Sequence, residues 1–374
     1  MKALAGILLS LCVAGASSAE SQTVHDSEAA RFTVRVLARG LEHPWGLAFL
    51  PDGRLLLTER AGRLRLVGAD GRLDPAPVSG VPAVVAEGQG GLLDVALHPQ
   101  FARNGWVYLS YVAGSGGRVG TELARGRLVG RSLRDVEVLF RMQPKSGARH
   151  HFGGRLAFDR AGYLYLTLGD RGDMPRAQRP DDHAGSVIRL SDDGRVPLDN
   201  PFRNRAGWLA EKYTLGHRNP QGLARDAAGR LWLTEHGPQG GDELNLLASG
   251  ANYGWPRVTH GRQYVTGARI GEATSLPGFR DPLHVWGPTS IAPSGLAFYS
   301  GARFPGWRGD LFAGALRERM LVRLKLAGDR VVGEERLLVG VLGRVRDVRD
   351  GPDGYLYLLT DEDDGVLARL EPAP

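Results

Sequence analysis

Val345-Arg-Asp-Val-Arg-Asp-Gly-Pro-Asp-Gly-Tyr-Leu-Tyr-Leu-Leu-Thr360 is the stretch whose reading decides the fold. A first strand runs into a turn built on Asp-Gly, and a second strand of alternating aromatic and aliphatic residues follows. The same unit recurs five more times. Gly46-Leu-Ala-Phe-Leu-Pro-Asp-Gly-Arg-Leu-Leu-Leu-Thr-Glu59 is the first copy, and Leu93 to Pro99 with Trp106 to Tyr111 is the second. Gly154 to Asp159 pairs with Tyr163 to Thr167, Gly222 to Asp226 with Leu231 to Glu235, and Gly295 to Tyr299 with Asp310 to Gly314.

Successive copies start roughly 45 to 75 residues apart, the room a four-stranded propeller blade needs with its insertions. The chain therefore reads as all-β, a six-bladed β-propeller of four-stranded antiparallel blades. A single hairpin cannot bury both of its faces, and radial stacking supplies the cover. The longer gaps, Arg171 to Asn219 and Asn252 to Pro293, read as loops above the blades, where propellers build their sites.

Composition agrees with that class. At 374 residues, 42% hydrophobic and 24% charged, the chain is neither disordered nor a coiled coil, and 53 glycines with 22 prolines speak against a helix bundle. Met1 and Lys2, the apolar run Ala3 to Ala16 and the small residues Ser17, Ser18 and Ala19 read as a signal peptide over 1–19. One domain over 20–374 would then be periplasmic or secreted. Cys12, the only cysteine, lies in the leader, and Leu11 before it is too large for a typical lipoprotein signal. The exported chain would hold no disulfide and would rely on its core or on bound ions. No later apolar stretch is long enough to span a bilayer.

The formal charge of +6 falls to +5 once Lys2 is removed. It does not imply a nucleic-acid partner, because arginines interleave with acids. The densest stripe, Arg125, Arg127, Arg131 and Arg134, reads as a solvated strand face. An anionic small ligand held by a few arginines stays open.

Three constellations carry chemistry. Arg149-His-His-Phe-Gly-Gly-Arg155 puts two histidines where loop becomes strand, and one at the channel edge has the pKa of a general base. A packed histidine is the plain alternative. Metal ligation by both is disfavoured, since neighbours on a strand point to opposite faces. Arg218 and Asn219, in Tyr213-Thr-Leu-Gly-His-Arg-Asn-Pro-Gln-Gly222, should enter the channel at the level of His151, where they could stabilise an oxyanion or serve a capped turn. Glu235-His-Gly-Pro-Gln-Gly-Gly-Asp-Glu243 offers Asp242, Glu243 and backbone carbonyls, oxygen ligands of the kind calcium uses. Asp361-Glu-Asp-Asp-Gly365 lacks the glutamate at the twelfth loop position and reads as a turn. Arg171-Gly-Asp173 is a chance tripeptide. No nicotinamide or flavin fingerprint, nucleophile elbow or zinc-protease motif is present.

Together Gly88-Gln-Gly-Gly-Leu92, His151-Phe-Gly-Gly-Arg155, Arg218-Asn-Pro-Gln-Gly222, Glu235-His-Gly-Pro238, Gly241-Asp-Glu-Leu-Asn245, Asn252-Tyr-Gly-Trp-Pro256 and Arg344-Val-Arg-Asp-Val348 resemble the soluble glucose/sorbosone dehydrogenase family. The likeness runs from about His43 to Leu370 and is nearest to the bacterial periplasmic aldose sugar dehydrogenases, which use pyrroloquinoline quinone (PQQ). The resemblance implies a six-bladed propeller that oxidises an aldose at its anomeric carbon to the lactone, with hydride transfer to PQQ and reoxidation by an external electron acceptor. It implies that His151 takes the proton and that Arg218 and calcium steady the charge left on the cofactor. Gln89, Arg218, Asn219, Tyr264, Ala315, Arg317, Arg344 and Arg346 match cofactor-contacting positions. Gly237 and Pro238 match carbonyls that hold a calcium on PQQ, and Glu243 and Tyr253 match a second, structural calcium. Arg317 stands where relatives often carry lysine, and His150 where they carry a small polar or acidic residue. Two other classes stay open: a calcium-dependent propeller lactonase, which would not need Gln89, Asn219 and the paired Arg344 and Arg346 around one planar anion, and a non-catalytic sugar-binding propeller, which would keep the blades and lose the histidine, whereas His151 is present.

Overall fold

Residues 23–373 are described by the computed structural model, and the leader expected over 1–19 lies outside them. The described residues form 24 strands in six antiparallel sheets. Blade I holds Pro44–Phe49, Leu55–Glu59 and Arg63–Val67; blade II holds Leu92–Leu97, Trp106–Ser115, Arg118–Val129 and Ser132–Arg141. Blade III is Leu156–Phe158, Leu164–Leu168, Ser186–Leu190 and Lys212–Leu215, and blade IV is Pro220–Arg225, Leu231–Glu235, Asp242–Leu246 and His284–Trp286. Blade V runs Pro293–Phe298, Leu311–Ala315, Met320–Ala327 and Arg330–Leu337. Blade VI starts with Val345–Asp350, Leu356–Thr360 and Gly365–Pro372, and the early strands Arg31–Leu41 and Val24–Asp26 complete it.

Each of the six sequence copies supplies the two innermost strands of one blade. Each innermost strand touches the next around the ring, and the sixth touches the first. Pairing of Arg31–Leu41 with Gly365–Pro372 closes that ring, so a strand from one end of the chain finishes the blade built by the other. Blade sizes depart from a uniform four. Blade I has three strands, its edge extended by the isolated bridges Leu64 to Val78 and Val67 to Leu73, while blade VI has five. The two long gaps are not wholly loop either: the first contains the two outer strands of blade III and the second contains the outer strand of blade IV.

The apolar core is divided among the interfaces between blades. Leu56, Leu66, Val95 and Leu109 pack between blades I and II, and Trp232, Leu296 and Val322 between IV and V. Leu57, Leu359 and Leu367 join blade VI back to blade I. Hydroxyls fasten the inner edges. Ser110 donates to the Gly154 carbonyl at 2.5 Å, Thr167 to that of Pro220 at 3.2 Å, Thr234 to that of Ser294 at 3.0 Å and Ser294 to that of Val345 at 2.6 Å. Each bond links one blade to the innermost strand of the next. The glycine that opens several copies is required by the same close approach: a Cβ at Gly295 would lie 2.6 Å from the Cα of Asp347.

At the centre of the ring four charges meet, with Arg155, Asp94 and Asp347 buried and Arg349 partly so. Arg155 donates to Asp347 at 2.9 Å and to Asp94 at 3.3 Å, and Arg349 donates to each of these carboxylates at 2.7 Å. The guanidinium of Arg155 lies 4.2 Å from the ring centre of Trp45. Desolvation is offset only while every charge keeps its partner. We expect Arg155→Met to lower the unfolding free energy by about 3–5 kcal/mol, read from the denaturant midpoint; an unchanged midpoint would show that the cluster does not brace the channel.

Candidate active site

Most of the innermost strands break register near their upper ends. The shifts fall between Pro44 and Leu47, Pro220 and Gly222, and Val345 and Asp347, which leaves Trp45, Gln221 and Arg346 inside the bulges. A bulge turns its extra side chain out of the sheet plane. These three side chains accordingly meet over the central ion cluster, in a cavity of about 210 Å³ that Arg60, Gln89, Asn219, His236, Arg344 and Asp361 also line.

Charge in that cavity is unbalanced. Arg346 donates to Asp361 at 2.5 Å and to Gln221 at 3.0 Å, and Arg344 reaches the same carboxylate at 3.4 Å. Burial would push the Asp361 carboxyl up, but the field and hydrogen bond of Arg346, helped by Arg60 and Arg344, hold it well below the ordinary carboxylate range. One carboxylate thus faces three guanidiniums. The Nε atoms of both Arg60 and Arg346 are buried without a partner. Such orphaned donors suit a multiply charged planar anion.

His151 adjoins this cavity through Gln89, whose Oε1 accepts its backbone N–H at 2.9 Å. The residue sits at φ 53, uncommon for a side-chain-bearing residue and a sign of local constraint. Gly169 makes room for it, since a Cβ there would lie 3.1 Å from the His151 Cα. Asp170 follows at once and bonds His151 Nδ1 at 2.6 Å, while accepting Trp255 Nε1–H at 2.8 Å and the Gly172 N–H at 2.7 Å. With Nδ1 held by the carboxylate, Nε2 is left as the nitrogen that can accept a proton. Burial and the Arg218 charge lower the His151 pKa and outweigh the upward pull of Asp170, which favours the neutral imidazole at neutral pH. Burial pushes Asp170 up, but its bond to His151 and the other partners bring it below the usual carboxylate value.

Arg218 is fixed at its backbone, donating N–H to Glu235 at 2.7 Å and accepting from Asp170 at 2.8 Å. Its guanidinium reaches the His236 carbonyl at 3.2 Å and the Tyr264 hydroxyl at 3.5 Å. His236 donates from Nε2 to the Pro293 carbonyl at 2.8 Å. Burial, with the charges of Arg218 and Arg346, pushes its pKa down to about 3. Asn219 Oδ1 accepts the Gly153 N–H at 3.3 Å, joining the histidine loop to blade IV.

Glu243, Tyr253 and Gly237 share a second, far smaller cavity of about 10 Å³ beside Arg218 and Glu235, room for about one ion or water. Pro238 is buried next to it. Burial and the neighbouring Glu235 carboxylate raise the Glu243 pKa well above its ordinary value, and Asn245 Oδ1 is buried there without a donor. An unpartnered oxygen beside two buried carboxylates fits a hard cation. No group of three or more His, Cys, Asp or Glu side chains suited to a metal exists among the described residues, so backbone carbonyls such as those of Gly237, Pro238 and Tyr253 would have to complete the shell.

The structure thus brings Gln89, Asn219, Arg344 and Arg346 to one cavity with His151 and Arg218 beside it. Two other expected contacts, Ala315 and Arg317, stand apart from this cavity, and Tyr264 meets the site only through Arg218. Ala315 is fully buried in the apolar cluster between blades IV and V, while its neighbour Leu316 lines the cavity. The Arg317 side chain is 53% exposed and 3.9 Å from Glu318, and Tyr264 is exposed at the mouth. The two histidines are not on opposite faces, because residue 151 is not in a strand: their rings meet edge to face at 4.6 Å. Asp170 went unread beside the Arg171-Gly-Asp173 tripeptide, and Asp361 was read as a turn. The only local signal for Asp170 is a Gly-Asp pair just past the second strand of its blade.

Asp170→Asn should cut turnover about a hundredfold or more, by losing the favoured imidazole tautomer. It should also move the acidic limb of the kcat/KM profile to lower pH, since the carboxylate raises the His151 pKa. An acidic limb that stays in place would separate Asp170 from the base.

The chain matches the glucose/sorbosone dehydrogenase family model over residues 41–369. It is 45% identical to the aldose sugar dehydrogenase YliI of Escherichia coli, with 97% of this chain and 96% of that protein covered. It is 29% identical to quinoprotein glucose dehydrogenase B of Acinetobacter calcoaceticus over 90% of this chain and 88% of that one. The PQQ-bound aldose sugar dehydrogenase of Streptomyces coelicolor superposes with a TM-score of 0.76 at 33% identity, covering 91% of this chain and 98% of its own. By the extent and identity of these matches, the chain belongs to the glucose/sorbosone dehydrogenase family.

Proposed function

We propose that the protein is a periplasmic quinoprotein that oxidises aldose sugars at the anomeric carbon to lactones, using PQQ and calcium and delivering electrons to an external acceptor. The observation that carries this reading is the cavity in which three arginines outnumber one carboxylate, with a neutral, carboxylate-held histidine at its side. When bound, PQQ supplies the acceptor for an electron pair and calcium a positive charge beside it. His151 Nε2 accepts the proton of the anomeric hydroxyl, and Asp170 stabilises the imidazolium that results. Arg218 places a fixed positive charge beside that event, and Gln89 and Asn219 hold the His151 loop against blades II and IV. The PQQ-bound relative and the quinoprotein of A. calcoaceticus support the choice of cofactor. Export is supported by the leader-like residues 1–19, and no helix among the described residues is long and apolar enough to cross a membrane.

The first test is reconstitution. The purified apoprotein should be inactive, then reduce an artificial dye with aldoses once PQQ and calcium are both added. Several mono- and disaccharides should react, because the cavity opens at a channel mouth. Failure of PQQ to produce sugar-dependent dye reduction would reject the reading, and lactone hydrolysis with calcium alone would replace it. His151→Gln with PQQ still bound should lose about a hundredfold to ten-thousandfold in turnover.

A second test concerns the small cavity. Calcium bound at Glu243 and the Tyr253 carbonyl only in the native state would raise stability. Chelation should lower the melting temperature, and calcium should restore it. Glu243→Ala should abolish this response, and a variant that still gains stability from calcium would place the ion elsewhere.

A further inference from the structure

The cavity holds one guanidinium that none of the sequence motifs accounts for. Arg60 follows the second strand of blade I, and its backbone is tied on both sides: its N–H donates to the His43 carbonyl at 3.1 Å and its carbonyl accepts the Leu92 N–H at 3.1 Å. Its Nη1 donates to the Gly88 carbonyl at 3.1 Å, one residue before Gln89. Its Nε is buried and unpartnered. Asp361, the carboxylate of this cavity, bonds His43 at 2.8 Å, Arg346 at 2.5 Å and Arg344 at 3.4 Å, so its hydrogen bonds go to these groups and Arg60 acts on it only through its field.

Arg317 has the opposite setting. Its side chain is half exposed beside Glu318, and only its backbone is committed, donating to the Ile291 carbonyl at 3.1 Å. A guanidinium binds a carboxylate through two parallel N–H groups, and the edge that carries Nε is one of the two that can do so. Arg60 and Arg346 both line one cavity and each has an Nε without a partner, but Nη2 of Arg346 is already given to Asp361, so Arg60 is the one whose Nε edge is not shared with a carboxylate.

We infer that Arg60, and not Arg317, is the third arginine of the anion site, joining Arg344 and Arg346 in holding the carboxylates of the cofactor. The inference rests on the PQQ reading proposed above and assigns a role to a residue outside its motifs. Arg60 also carries the Gly88 carbonyl, so it couples the anion to the loop that presents Gln89 to His151. Loss of this residue therefore affects cofactor affinity before it affects proton transfer.

The test is direct binding, without turnover. Apoprotein in calcium is titrated with PQQ at low and high salt, following tryptophan fluorescence or heat, for the unmodified chain and for Arg60→Gln, Arg60→Lys, Arg317→Gln and Gln89→Ala. Arg60→Gln should weaken binding about ten- to a hundredfold and flatten the dependence of Kd on salt, because one charge contact is gone. Arg60→Lys should restore the salt dependence in part, and Arg317→Gln should bind within about threefold of the unmodified chain. Unchanged affinity of Arg60→Gln would overturn the inference. So would a loss that matches Gln89→Ala and leaves the salt dependence intact, since Arg60 would then act only as a loop anchor. An unmodified chain that binds no PQQ would defeat both this inference and the functional reading beneath it, whereas normal binding with no sugar oxidation would defeat the functional reading alone.

Discussion

Arg155 is fully buried at the axis of the ring, and the rest of the molecule is arranged so that its charge can be there. Its partners come from separate blades: Asp94 from the innermost strand of blade II, Asp347 and Arg349 from that of blade VI, with the Trp45 ring of blade I against it. A buried guanidinium is tolerated only when it is both paired and hydrogen-bonded. Its Nε also donates to the Gln221 carbonyl of blade IV at 2.9 Å, so five of the six blades contribute to one knot. Such a knot can form only after the ring has closed, which makes the pairing of Arg31–Leu41 with Gly365–Pro372 a precondition of the centre.

The same cluster is the floor of the cavity above it. Gln221 gives its backbone carbonyl to Arg155 and its side-chain oxygen to Arg346, and so connects the neutral ion knot to the cationic site. Trp45 lies 4.2 Å from Arg155 and 5.7 Å from Arg346, between the two levels. The bulges that aim Trp45, Gln221 and Arg346 therefore have two effects. They give Arg155 a carbonyl partner and an aromatic face below and leave the Arg346 Nε without a partner above.

This division explains what the sequence allowed to be read. Blade number was legible because each blade repeats a local signal, a glycine-led strand, a turn and an aromatic or aliphatic strand. His151 and Asn219 were legible in their own constellations and Arg344 and Arg346 through the resemblance, since all sit in short contiguous motifs. Asp170, Asp361 and Arg60 each act on a residue of another segment, and nothing beside them in sequence marks the partner. Asp361 bonds His43, which is 318 positions away, only because blade VI meets blade I at the closure of the ring. Ala315 shows the converse: its neighbour Leu316 lines the cavity, but strand alternation sends the Ala315 side chain into the core. The sequence copies mark only the two inner strands of each blade, because the edge strands lack the glycine-led signal and the two outer strands of blade VI come from the other end of the chain.

The floor also decides from which side the chemistry can be reached. Below the ion knot the lower mouth widens into a separate space of about 620 Å³ lined by Phe49, Leu97, Phe158 and Phe298. Arg349 takes part in lining that space while its guanidinium is committed to Asp94 and Asp347. Passage from below would require parting this cluster, three of whose four charges are buried, and a charge left buried without its partner costs several kcal/mol. On the proposed reading, sugar, cofactor and electron acceptor would share the upper mouth, where His151, Arg218 and the exposed Tyr264 stand. A proton base at a shared mouth meets water, and its pKa has to be set by structure. The φ of 53 at His151 and the Gly169 contact hold the imidazole back to 13% exposure, and this burial, with the Arg218 charge, lowers its pKa against the upward pull of the Asp170 bond.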